Sequence, residues 1–502
     1  MQPEQQLQQL KTRLGEIFDL QRAAALLGWD QQTYMPPGGA ENRGYQMATI
    51  QQIAHTTSVS EEIGRLLEDL QPYVNQLDPD SYEARLVKVT KRAYDKEVKI
   101  PVEWVMESAM VSTTAHEAWA KARAANDFPS FQPHLEKLLD LAHRYTEIFA
   151  PYDHPYDPLV DIFEPGLKTA DIKAIFTTLR PQQVELNKQI ANRPQVDNSF
   201  LYLAYDEKKQ WDFGVEVITK MGYDWNRGRQ DKTVHPFTTG FGWGDIRITT
   251  RVYPNFLSPA LFGTLHETGH AMYELGADKS LDRSPLFGGV SSGIHESQSR
   301  MWENLVGRSL PFWQHFYGRL QEYFPSQLGN LSLQDFYKGI NKVQPSLLRV
   351  EADEATYNLH IMLRMELEIA LMEGTLAVKD LPDAWNTRFQ EYLGLTPPDN
   401  SQGVLQDVHW SGGMIGYFPS YALGNLIASQ LWELINRDIP DLPDQIRRGE
   451  FAPWIAWLRE KIHVHGSKFE PQELIQRVTG SKIDSAPYMR YLTTKYSDIY
   501  GL

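Results

Sequence analysis

The sequence predicts a mainly α protein with one small antiparallel sheet. Two observations carry that expectation. Apolar residues recur at three- and four-residue steps through most of the chain, the period of a helix with one buried stripe. Strand character appears in a single stretch, residues 233–253, where Thr, Val, Ile and aromatic residues gather around turn glycines. A composition of 42% hydrophobic and 23% charged residues is ordinary for a globular protein.

Taken in order, residues 3–28 read as an amphipathic helix with Leu7, Leu10, Leu14, Phe18 and Ala25 on its stripe. The stretch 29–39 should break it, because Pro36-Pro37-Gly38-Gly39 cannot continue a helix. Helical spacing resumes over 40–56, 59–73, 80–99, 101–125 and 130–149. Pro151, Pro155 and Pro158 mark a long connection before a helix at 169–192. Strands follow at 233–237 and 246–253, with Gly240, Gly242 and Gly244 as turn material between them. Helices return at 258–276, 295–308, 333–342, 353–373, 380–395, 420–437 and 451–463. There are no repeats, low-complexity tracts or flexible linkers, so one domain over residues 1–502 is expected.

Charge and composition exclude several classes of function. A net charge of -15 disfavours nucleic acid and anionic membranes as partners. The chain has no cysteine, hence no disulfide scaffold, no thiol nucleophile and no thiolate metal site, which suits a reducing cytoplasm. The first 25 residues carry charges throughout and show no targeting pattern. The apolar stretch Ala23 to Trp29 is far short of the roughly 20 residues that a membrane span needs.

The chemistry concentrates in His266-Glu267-Thr268-Gly269-His270. Residues four apart share a helix face, so both imidazoles can reach one ion, and Glu267 lies beside a water on that ion. Neutral imidazole suits zinc, and a carboxylate beside zinc-bound water can act as its general base. Leu265, Ala271, Met272 and Leu275 make this helix apolar and hence buried, and buried histidines need a partner. Tyr273 and Gly276 stand where an extended metzincin pattern would need Gly and His, so the third ligand comes from farther along. The Gly- and Ser-rich loop 287–293 lets the chain return antiparallel, and Glu296 near the start of the next helix is the natural third ligand. His295, Glu303 and Glu274 are its competitors. Position 300 is Arg, so the thermolysin-like Asp four residues beyond the ligand Glu is absent.

Further motifs lie in order along the chain. They are Trp29 to Ala40, His235-Pro236-Phe237, Asp245-Ile246-Arg247-Ile248-Thr249 and His295-Glu296-Ser297-Gln298. Leu348 to Asp353 and Gly403 to Trp410 complete the set. With the His pair, this pattern resembles the carboxypeptidase Taq family of metallopeptidases. The resemblance implies a large helical zinc-peptidase fold with a deep substrate groove, and a homodimer. It implies zinc ligands at His266, His270 and Glu296, one ion per chain with cobalt able to substitute, and Glu267 as catalytic acid/base. The implied activity is release of C-terminal amino acids from peptides with broad specificity.

A carboxypeptidase must bind a free terminal carboxylate, and Arg does so through two parallel hydrogen bonds. Arg247 and Arg349 are the candidates; the alternative for each is pairing with a buried Asp such as Asp245 or Asp353. His409 and Tyr421 are candidate donors to the oxyanion, with His409 otherwise a core histidine held by Asp407. His235 reads as structural. An edge strand beside the groove could hold substrate backbone by strand addition. Two other classes compete: an oligopeptidase cutting internally, and a silent binding protein with a structural metal. The presence of Glu267 weighs against the latter, because structural sites need no base.

Overall fold

A computed structural model of the chain describes residues 2–502. It is mainly helical, as the periodicity predicts. Buried side chains from Leu7 to Tyr500 join one hydrophobic cluster, and no described helix is long and apolar enough to cross a membrane.

Several boundaries differ from the sequence expectation for physical reasons. The first helix, Pro3–Thr33, continues past residue 28 because Trp29 is buried under the Arg247 guanidinium, 4.4 Å from its ring, and Arg43 ties Asp30 at 2.7 Å. Helices at Asp157–Phe163, Glu207–Lys220, Leu310–Tyr323, Pro325–Leu328, Leu442–Arg447, Pro471–Thr479 and Ala486–Tyr500 were not marked by periodicity. All seven have local start signals: Asp206 accepts from the first turn of Glu207–Lys220, and each of the others carries Pro at its first or second position.

The sheet has three strands in the order β1, β3, β2: β1 is Gln230–Lys232, β2 is Thr238–Gly240 and β3 is Ile246–Thr250. The expected antiparallel pairing is that of β2 on β3, with Thr238 opposite Ile248. β1 adds a parallel partner on the other side of β3, so the sheet is mixed. The expected strand at 233–237 is instead the connection between β1 and β2. Pro236 has no N–H to give, and Phe237 N donates to the Thr249 hydroxyl at 2.7 Å.

The helix Ser258–Gly276 carries the His pair and is buried nearly all round, through Leu261, Phe262, Leu265, Ala271, Met272 and Leu275. The chain then returns through a loop into the helix Ser292–Arg300, capped by Ser291 Oγ accepting from Ile294 N at 3.1 Å. The two backbones meet at Gly269. A Cβ there would lie 2.6 Å from Gln298 O and 2.7 Å from Ser299 Cα. Beyond Arg300 the helix widens into a π-helical turn, Met301–Val306, a form that often marks functional sites. The helix Phe418–Asp438 packs along Ser292–Arg300 and closes the site from the far side.

Candidate active site

His266 and His270 present their rings on one face, with centroids 4.9 Å apart. Glu296 comes from the returning helix. Its Oε2 lies 3.6 Å from His266 Nε2 and 3.4 Å from His270 Nε2. Ligands at about 2.1 Å in a tetrahedron are about 3.4 Å apart, so the two distances from Glu296 suit a tetrahedral divalent-metal site, and all three ligand atoms lie within 4.8 Å of one another. Glu296 Oε1 accepts from Arg300 Nε at 2.7 Å, while Oε2, which also accepts from the Ser299 hydroxyl at 3.0 Å, is the oxygen nearest both histidines.

Glu303 and Glu274, by their distance along the helices more suited to a supporting place than to ligation, do stand behind the ligands; which histidine each serves was not legible in the sequence. Glu303 Oε2 accepts from His266 Nδ1 at 2.9 Å. His270 Nδ1 lies 2.6 Å from His295 Nδ1, and His295 Nε2 lies 3.2 Å from Glu274 Oε1. Thus Glu303, His295 and Glu274, the competitors for the third position, all stand behind the histidines, and Glu296 alone shares their centre.

Charges follow this layout. Burial opposes ionisation of Glu296, but Arg300 and both histidines hold its carboxyl well below the usual range. Burial likewise works against Glu303, yet His266 and Arg300 bring it down to about 2. Burial lowers His270 to about 4. Burial raises Glu267, with His266 and Thr238 opposing and Glu296 and Glu303 adding repulsion. Glu267 Oε2 receives the Thr238 hydroxyl of β2 at 2.7 Å, which aims it beside the histidines.

A cavity of about 580 Å³ opens over these groups. Phe163, Pro236, Phe237, Tyr417 and Tyr421 line its walls. Its outer wall is tied to the ligand helix by Glu164, whose buried carboxylate accepts from Gly293 N at 2.5 Å. Burial pushes that carboxyl up to about 7.

The structure puts the remaining sequence candidates as follows. Tyr421 faces the cavity, and His409 stands behind it with Nε2 3.1 Å from the Tyr421 hydroxyl. Asp407 is 3.9 Å from His409 Nδ1, too far for a hydrogen bond, and burial together with Arg349 takes His409 down to about 4. Arg349 donates from Nε and Nη2 to Asp407 Oδ1 at 2.9 and 2.8 Å, and from Nη1 to Tyr357 at 3.0 Å. Arg364 takes the other oxygen of Asp407 at 2.6 Å, so two guanidiniums share one carboxylate. Asp353 instead binds backbone N–H groups of Gln344, Ala355 and Thr356. Arg247 makes a two-pronged pair with Asp245 at 2.8 and 2.7 Å and stacks over Trp29 at 4.4 Å. His235 is exposed on the loop between β1 and β2.

A helical fold with a His-His-Glu group under a groove defines a metallopeptidase. Residues 9–496 match the family described as carboxypeptidase Taq (M32) metallopeptidase. Thermostable carboxypeptidase 1 of Thermus thermophilus is 42% identical over 511 residues, spanning 100% of both chains. Carboxypeptidase 1 of Bacillus subtilis is 39% identical over 98% of this chain and 100% of its own. The crystal structure of the M32 carboxypeptidase from Deinococcus radiodurans R1 superposes with a TM-score of 0.97 at 40% identity, covering 99% of this chain and 100% of its own. Trypanosoma cruzi metallocarboxypeptidase 1 does so with 0.93 at 33% identity, over 98% and 99%. The chain belongs to the carboxypeptidase Taq (M32) family, and with it to the metal-dependent peptide hydrolases.

Proposed function

We propose that the chain is a zinc-dependent carboxypeptidase of broad specificity that uses Glu267 as its acid/base. The observation that carries this reading is the triangle of His266 Nε2, His270 Nε2 and Glu296 Oε2 with the Glu267 carboxylate beside it. Zinc suits two imidazoles and one carboxylate oxygen, with cobalt able to substitute. When bound, the ion supplies Lewis-acid polarisation of the scissile carbonyl and acidifies water.

The chain's own groups do the rest. The raised pKa of Glu267 suits a base that takes a proton from the attacking water and hands it to the leaving amine nitrogen. Thr238 keeps that carboxylate in place. With a proton on Nε2, neutral His409 donates to the Tyr421 oxygen, which frees the phenol proton for the developing oxyanion. Of the two arginines we assign Arg349, buried behind the cavity-facing Tyr421 and 5.0 Å from its ring, to the terminal carboxylate. Its cluster with Asp407 and Arg364 carries a net positive charge, whereas Arg247 is already neutralised by Asp245. The edge position of β2 beside Glu267 supports binding of extended substrate backbone.

The continuous core supports a single domain over residues 1–502. A cytoplasmic homodimer acting on peptides with free C-termini, without nucleic acid or membrane, completes the proposal. The deciding experiment follows amino-acid release from a synthetic peptide acid and its amide, with and without chelator. Single residues released in order from the acid alone, and only with metal, support it; internal cleavage of both peptides sinks it.

A further inference from the structure

The outer hydrogen bonds of the two histidines differ, and the difference has a chemical meaning that rests on the metal reading above. His266 Nδ1 meets a carboxylate directly, Glu303 at 2.9 Å. His270 Nδ1 meets a second imidazole, His295, at 2.6 Å, and a carboxylate, Glu274, only beyond it. A carboxylate accepts and cannot donate, so His295 carries its proton on Nε2, facing Glu274. With that proton on Nε2, His295 offers the lone pair of Nδ1 to His270 Nδ1–H, 2.6 Å away. That in turn leaves the lone pair of His270 Nε2 pointing at Glu296 and the centre of the site.

The geometry points to Glu274 and His295 as positioning residues: a carboxylate–imidazole–imidazole relay that locks His270 in the tautomer able to ligate and so sets the affinity for the metal. Two glycines far apart in sequence make room for it. A Cβ at Gly289 would lie 2.4 Å from His295 Cδ2 and 2.9 Å from Tyr273 Cε1, so no side chain fits where the His295 ring stands. A Cβ at Gly240, in β2, would lie 2.1 Å from Glu274 Oε2. On its other side the His295 ring packs on Tyr273, with centroids 5.2 Å apart. The cradle therefore serves Glu274 and His295 rather than the ligands themselves.

The test measures zinc affinity by competition with a chelating dye at neutral pH, independently of activity. His295→Phe keeps the ring packed on Tyr273 but accepts no hydrogen bond; loss of an outer partner of this kind costs about 10- to 100-fold in metal affinity. His295→Asn puts a carbonyl oxygen near the place of Nδ1 and should recover most of that loss. Gly289→Ala, which changes no member of the relay, should weaken zinc by displacing His295. Circular dichroism and melting curves confirm that each variant is folded. A folded His295→Phe or Gly289→Ala chain that holds zinc as tightly as the wild type overturns the relay. So does equal weakening in His295→Phe and His295→Asn, the mark of a packing role alone. A wild-type chain that takes up no zinc overturns the metal reading and the relay together.

Discussion

Removing the guanidinium of Arg349 should separate substrate recognition from stability. Asp407 is shared, so Arg349→Ala leaves it paired with Arg364 at 2.6 Å. Breaking an isolated buried pair costs about 3–5 kcal/mol; with the second guanidinium retained, the expected loss is nearer 2–3 kcal/mol. Activity should respond differently according to the substrate. A lost charge-assisted hydrogen bond to a carboxylate costs about 1.5–3 kcal/mol, or roughly 10- to 150-fold in kcat/KM, on peptide acids only. Lys at 349 should restore part of it, keeping the charge without the planar fork. Arg247→Ala is the control. Its partner Asp245 has 40% of its side chain exposed and can be solvated, so the loss should be about 1 kcal/mol from the ion pair and a similar amount from stacking on Trp29. The assay compares kcat/KM on a peptide acid and its matching amide, alongside denaturant midpoints. If folded Arg349→Ala keeps the full preference for the acid, the carboxylate is held elsewhere.

Further expectations concern single groups. Glu267→Gln should keep metal and fold but lose about 10²- to 10⁴-fold in kcat, since Gln cannot take the proton; activity within a few-fold of wild type at full metal occupancy removes Glu267 from the mechanism. Glu296→Ala should lose the metal in elemental analysis, whereas Glu303→Ala should retain it with affinity reduced about 10- to 100-fold; the reverse order would make Glu303 the ligand. The Glu164 carboxyl sits at about 7 when folded, above its unfolded value, so its contribution to stability is full below about pH 4.5 and declines as pH rises through 7. Glu164→Gln removes that decline. Its stability relative to wild type should therefore grow by about 2.5 kcal/mol between pH 5 and pH 8, and a pH-independent difference in urea midpoints would show that the carboxyl is not titrating there.

The parts of this site legible in the sequence are those whose partners are near neighbours on one element or across one loop. The helical period puts His266 above His270, and the Gly- and Ser-rich return puts Glu296 opposite them. The parts that were not legible join residues whose proximity is created by packing. Asp407 lies 58 residues from Arg349, and nothing local distinguished it from Asp353, which turned out to serve backbone N–H groups. Competition for the third ligand had the same origin: His295, Glu274 and Glu303 carry the right atoms, and only the approach of two helices decides which atoms face the centre. In the fold, the seven unmarked helices include short or polar-rich segments such as Glu207–Lys220, where Phe213, Val217 and Ile218 form too thin a stripe to stand out. The split of the expected strand at 233–237 depends on β1 reaching β3, a contact between strands that are not adjacent in sequence.

The contact at Gly269 bears on which ions the site tolerates. Backbone rests on backbone there, with no side chain between to give way. The separation of the two helices that carry the donors is consequently set by main-chain contact, which should limit how far the site can open for a larger ion. Calcium, which binds oxygen at 2.3–2.6 Å and asks for six to eight ligands, would have to spread two helices to enter. Ala at 269 would force that spreading in advance, and a gain in large-ion uptake relative to zinc would be its signature; unchanged selectivity would show that the triangle is elastic.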